Sequence, residues 1–151
     1  MPADTRLTTH FFLSQLVVSP LAERAGMRNR PLGVQFENLR RLAQSLELVR
    51  LHLNGCDLHV LRAFRHVPLQ CKVGDDPSAD GRSAEFIAPA FGSPREICAH
   101  LVGHDMVFDR LVCAGEWVQL DITKFGHAPR GQVQSGVFEH GQPMRYLEGL
   151  L

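Results

Sequence analysis

The sequence predicts an α+β domain, with N-terminal helices packed on a mostly antiparallel sheet. Three observations carry that expectation. Apolar residues recur every three or four positions up to Leu53; from Leu58 short apolar runs bounded by turn residues replace them; and one further helix, opened by Ser93-Pro94, interrupts those runs. At 151 residues, roughly two-thirds of the unfolded surface can be buried without a disulfide or structural metal. No repeat, low-complexity stretch or linker divides the chain, so residues 1–151 read as a single domain.

The elements follow in order. Thr8 or Thr9 caps a short first helix through Phe12, Leu16 and Val17, and Ser19-Pro20 opens a second over Leu21 to Ala25, which Gly26 stops. The turn Asn29-Arg30-Pro31 leads to the longest helix, Val34 to His52. Its residues Phe36, Leu39, Leu42, Leu46, Val49 and Leu53 form one apolar stripe, and Asn54-Gly55 ends it. Leu58, Val60 and Ala63-Phe64 suggest a strand, Cys71 to Arg82 a polar loop, and Ala84 to Ala88 a second strand. Ser93-Pro94-Arg95-Glu96 is a capping box with proline at the first helical position, predicting a helix to about Val102. Val107 to Cys113 and Glu116 to Ile122 pair around Ala114-Gly115, and a last short strand falls near Met144 to Leu147.

Composition narrows the function classes. Hydrophobic residues are 44% and charged residues 21%, which excludes a disordered chain, and sixteen basic residues balance sixteen acidic ones. That neutrality gives no general attraction to nucleic acid or to an anionic membrane surface, so neither is expected as a partner. No run approaches the ~18 apolar residues of a membrane helix. Phe11 to Val18 is broken by Ser14 and Gln15 and lacks a cleavage-site pattern, so a signal peptide is not expected and the location is read as cytoplasmic. Cys56, Cys71, Cys98 and Cys113 form no Cys-x-x-Cys pair and read as free thiols behaving as small hydrophobes.

Several segments resemble the zinc-dependent D,D-peptidases of peptidoglycan, which share their fold with the hedgehog signalling domain. The likeness runs from His10-Phe11-Phe12-Leu13-Ser14-Gln15-Leu16 through Asn29-Arg30-Pro31 and Asn38-Leu39-Arg40-Arg41-Leu42-Ala43. Arg62-Ala63-Phe64-Arg65 stands where the family has Ser-Gly-Tyr-Arg, and Gly81-Arg82-Ser83-Ala84-Glu85-Phe86 where it has Gly-Arg-Ala-Ala-Asp-Phe. Glu116-Trp117-Val118-Gln119 stands where it has Glu-x-x-His. The small form, with its ending from Pro129 to Leu150, is similar to phage and prophage members, which adds the virion or release at lysis as possible settings.

This resemblance implies a zinc held by a His, an Asp seven residues later and a second His, with a Glu three residues before the latter as general base. The fourth position stays open for water. Here those ligand positions fall on Ser78, Glu85 and Gln119, and the general-base position on Glu116. A hydroxyl and an amide are poor zinc ligands, and structural zinc draws about 10–16 kcal/mol from its ligand set. No metal or other cofactor is therefore expected, although the family uses zinc. His100 and His104, at i and i+4, read as a solvent-facing pair at a helix C-terminus, where positive charge is favoured. His66 reads as a hydrogen-bonded or exposed histidine.

What is left is a cleft without its metal. Arg65 matches the family arginine that contacts substrate carboxylate or polarised carbonyl; the alternative is a structural salt bridge, for instance to Glu85. Trp117 either floors a pocket or packs as ordinary core. Glu116 without a metal-bound water has little to deprotonate. A triad built on Ser78 lacks a suitably placed histidine. The leading expectation is a degenerate, non-catalytic D,D-peptidase-like protein, binding peptidoglycan peptide or a phage or host protein. The alternatives are an active peptidoglycan peptidase with a relocated or non-zinc site, and an unrelated metal-free enzyme on the old cleft. On the leading expectation, Glu85, Glu116, Arg65, Ser78 and Gln119 form one polar cluster.

Overall fold

A computed structural model describes residues 4–65 and 77–151. Five helices and six strands follow in the order α1 (Leu13–Val17), α2 (Pro20–Arg24), α3 (Val34–His52), β1 (His59–Arg62), α4 (Pro77–Asp80), β2 (Ser83–Ile87), α5 (Pro94–Gly103), β3 (Arg110–Cys113), β4 (Val118–Asp121), β5 (Gln132–Val137) and β6 (Arg145–Glu148). The α+β class holds. The strands form one six-stranded sheet in the order β1-β2-β4-β3-β5-β6. All neighbours are antiparallel except β3 and β5, which run parallel, so the sheet is mixed.

α3 supplies the main apolar stripe. Leu39, Leu42, Ala43, Leu46 and Val49 are buried along it, and Asn54 and Gly55 end it with positive φ of 59° and 77°. α5 starts as its sequence requires, with Ser93 Oγ accepting the Glu96 backbone N–H at 3.2 Å and Pro94 in the first turn. Ile97, Cys98 and Leu101 of α5 then meet Ala84, Phe86, Leu111, Val118 and Leu120 of the strands in one core with the α3 stripe. Cys98 and Cys113 lie in that core; burial, with Cys113 beside it, pushes the Cys98 thiol far up. Cys71 and His66 lie outside the described residues.

Three local outcomes differ from the sequence reading. Helix α1 begins later than a Thr8 or Thr9 cap would place it: the backbone N–H groups of Leu7 and Thr8 fold onto Phe11 O, and the Gln15 side chain accepts the Phe12 N–H at 2.6 Å. Within the stretch expected to be loop, Pro77–Asp80 forms a helical turn closed by the Arg82 N–H on Pro77 O. Strand β5 was not expected, because Gln132-Val133-Gln134-Ser135-Gly136 shows little apolar content. Its parallel register is set at its start, where the Arg130 guanidinium clamps the Asp109 carboxylate (2.8 Å at the closest) and the Gln132 N–H bonds Asp109 O. Hydrogen bonding to Arg130 holds the Asp109 carboxyl below its ordinary value, against the opposing effect of burial.

Polar side chains of α3 tie the surrounding segments to it. Asn38 Nδ2 donates to Asp80 O (3.0 Å), and Arg41 Nη2 donates to Thr123 O (2.7 Å) at the exit of β4. Gly81 makes the closest approach: at φ +81° an added Cβ would lie 2.7 Å from Gln35 O and 3.0 Å from Leu39 Cγ. Only glycine lets β2 start this near α3. Asn29 similarly bridges Val17 O and Phe64 O at 2.8 and 2.7 Å, joining α1 to the end of β1. No helix among the described residues is long and apolar enough to cross a membrane.

Candidate functional site

Alternation along the strands sends one set of side chains into the helical core and the other to the opposite face of the sheet. That second face carries the candidate site. On β2 and β4, Glu85 and Gln119 are direct register partners, as are Ser83 and Asp121 one step along. The two strand positions singled out by the resemblance are thus side by side, although 34 residues apart in sequence.

Neither side chain stands alone. Arg62, the register partner of Glu85 on β1, places Nε 2.5 Å from Glu85 Oε2. Its guanidinium also lies 4.9 Å from the centroid of the Trp117 ring, a distance at which the ring face attracts a cation. Gln119, 7% exposed, donates from Nε2 to Asp121 Oδ1 at 3.0 Å. Asp121, 1% exposed, takes Arg110 Nε at 2.9 Å, and Arg110 Nη1 reaches Gln134 Oε1 at 3.4 Å. Gln134 in turn donates to Glu148, and the Arg110 guanidinium sits 5.2 Å from the Tyr146 centroid.

The result is a ladder across the sheet with two similar units. Each unit is a carboxylate on a central strand, an arginine from its neighbour and an aromatic ring beside that arginine. Such a layout satisfies the buried acids: a carboxylate as enclosed as Asp121 is costly without a cation and donors. Trp117 belongs to this face, half-buried, edge-to-face with Phe138 at 5.7 Å between centroids. Its buried Nε1 has no hydrogen-bond partner among the described residues.

The other expected residues are placed as follows. Ser78 lies half-buried in α4, where its carbonyl accepts the Arg65 backbone N–H at 3.0 Å. The guanidinium on Glu85 is that of Arg62 rather than Arg65, because the β1 register sets Arg62 opposite Glu85. Glu116 is exposed in the turn between β3 and β4. So Glu85 and Gln119 stand side by side with Trp117 against Arg62, and Ser78 and Arg65 meet through their backbones; neither Glu116 nor the Arg65 side chain bonds Glu85 or Gln119, so the expected five-residue cluster is not formed among the described residues. His100 and His104 stack at the C-terminal end of α5, with ring centroids 3.9 Å apart. Only His104 faces solvent as expected: His100 is half-buried, with Nε2 2.7 Å from His52 O, and His104 Nδ1 is equally close to His100 O.

Sequence reasoning missed Arg62, Asp121 and Arg110. Asp121 had a signal: a carboxylate two positions after Gln119, so on the same face of an otherwise apolar strand. Arg62 had none, since its pairing depends on a register shift between Val60 and Arg62. Among the described residues, no three His, Cys, Asp or Glu side chains gather as a metal-binding group. Comparison with known protein families, characterised proteins and solved structures finds no match to this chain.

Proposed function

We propose that the chain is a D,D-peptidase-like domain, of phage or prophage type, whose zinc site has been replaced and whose ladder face, around half-buried Trp117, serves as a non-catalytic binding surface. In this reading the mixed sheet with its N-terminal helices corresponds to the hedgehog/D,D-peptidase arrangement. The observation that carries it is the pairing of Glu85 with Gln119 on β2 and β4, with Arg62 ion-paired to Glu85. The donors present do not suit zinc. Ser78 offers a hydroxyl, Gln119 an amide already bonded to Asp121, and Glu85 a carboxylate whose counter-charge is a guanidinium.

Trp117, the only tryptophan of the chain, reports on this surface. Titration with a peptidoglycan stem peptide should change its fluorescence saturably, while mass spectrometry finds the peptide intact. Cleavage products would establish a peptidase instead. An unchanged spectrum at millimolar peptide would remove stem peptide as the occupant.

A further inference from the structure

Beside the Arg62 end of the ladder, a pocket of about 310 Å³ opens between the start of α2 and the end of β1. Arg24, Arg62 and Arg65 line it together with Val18, Leu61 and Phe64, and no Asp or Glu is among its described lining residues. Arg62 shares its charge with Glu85 through Nε. Arg24 and Arg65 have no carboxylate partner among the described residues, and Arg65 is half-buried. Among the described residues, three guanidiniums stand against one neighbouring carboxylate, an excess of two positive charges. Like charges gathered in a partly enclosed, apolar-walled space repel one another, and an anion entering it relieves that repulsion.

We propose that this pocket is an oxyanion site that takes a phosphoryl dianion. The charge count matches: a phosphate group carries about −1.5 to −2 at pH 7 and presents three acceptor oxygens. Guanidinium suits it better than ammonium would, because its planar fork donates two parallel hydrogen bonds to a phosphate edge. Singly charged carboxylate satisfies only half of the excess. The apolar walls leave room beside the anion for the body of a phosphate monoester. None of this depends on the peptidase-like reading, since the pocket is defined by Arg24, Arg62 and Arg65 whatever the ladder face binds.

Calorimetric titration of the full chain at constant ionic strength, with inorganic phosphate, phosphoserine and acetate as separate probes, tests the site. Inorganic phosphate should bind saturably and acetate about tenfold more weakly. Phosphoserine binding more tightly than phosphate would assign the site to monoesters, and equal binding to the free ion. Arg65→Gln should weaken phosphate about tenfold, and exposed Arg24→Gln about threefold. Glu85→Gln should tighten it several-fold by freeing Arg62 towards the pocket. Should Arg65→Gln fail to fold, Arg24→Gln and Glu85→Gln still decide the matter in opposite directions. Absence of saturable phosphate binding, or binding indifferent to both Arg24→Gln and Glu85→Gln, overturns the proposal.

Discussion

The two faces of the sheet are made by alternate residues of the same strands, yet they are held by different physics. Towards the helices, Phe86, Leu111, Val118 and Leu120 are fully buried among Leu39, Leu42 and Leu101. Away from them, Arg62–Glu85 and Gln119–Asp121–Arg110 form two neighbouring groups of ion pairs and hydrogen bonds flanked by Trp117 and Tyr146. Burial on the first face is non-directional and gains from every apolar contact. On the second, each buried charge must be met by a particular partner at a particular register position. The core face therefore supplies stability, and the ladder face is where a change of one residue alters chemistry.

Truncation on the core face should be the most damaging. Leu120→Ala removes a fully buried side chain of the core between the helices and the sheet, and is expected to cost about 3–4 kcal/mol in urea unfolding; a loss under 1 kcal/mol would place Leu120 outside the core. On the ladder, Asp121→Ala strands Arg110 and Gln119 together. Its cost should be about 2 kcal/mol, reduced from that of a fully enclosed pair because Arg110 reaches solvent. A cost as small as that of an exposed residue would mean that water replaces the carboxylate freely. Arg62→Gln is milder again, since the Arg62 side chain is 40% exposed, and a loss below about 1 kcal/mol is expected. The same variant should shift Trp117 emission, as the cation leaves the ring; unchanged emission would separate Arg62 from Trp117 in solution.

The smallest effect belongs to the Asp109–Arg130 clamp at the start of the parallel strand pair. Asp109 has its carboxyl held below the ordinary value of 3.8, so its contribution is full above that value and is lost as pH falls through the lower folded value. Asp109→Asn should flatten the acid limb of the stability–pH curve below about pH 4 and leave the neutral region nearly parallel. An acid limb unchanged by the substitution would assign the dependence to other carboxylates.

Much of the core face is legible in the sequence. The stripe from Leu39 to Val49, the Ser93 cap and the apolar positions of β2 and β4 follow from period and turn chemistry, which act locally. The parallel strand β5 does not, because its polar residues gain their place from long-range pairing with β3 and from the Arg130 clamp. For the candidate site, the resemblance to the D,D-peptidases implied Ser78, Glu85 and Gln119, and β2 and β4 bring the last two together. Arg62 was invisible because a shift in strand register selects it over Arg65 as the partner of Glu85. Charge on a strand can be read from sequence; the identity of its counter-charge is a tertiary fact.

The proposed reading is that Ser78, Glu85 and Gln119 stand where a peptidase of this kind would hold zinc, with the ligands exchanged. Zinc binding to the parent and to the triple variant Ser78→His, Glu85→Asp, Gln119→His, measured by calorimetry and elemental analysis on untagged protein, tests it most directly. The account predicts no stoichiometric zinc on the parent and about one tightly held ion per chain on the variant, which supplies two imidazoles and a carboxylate with a fourth position open. A parent that binds zinc stoichiometrically, or a folded triple variant that ignores it, would contradict the account.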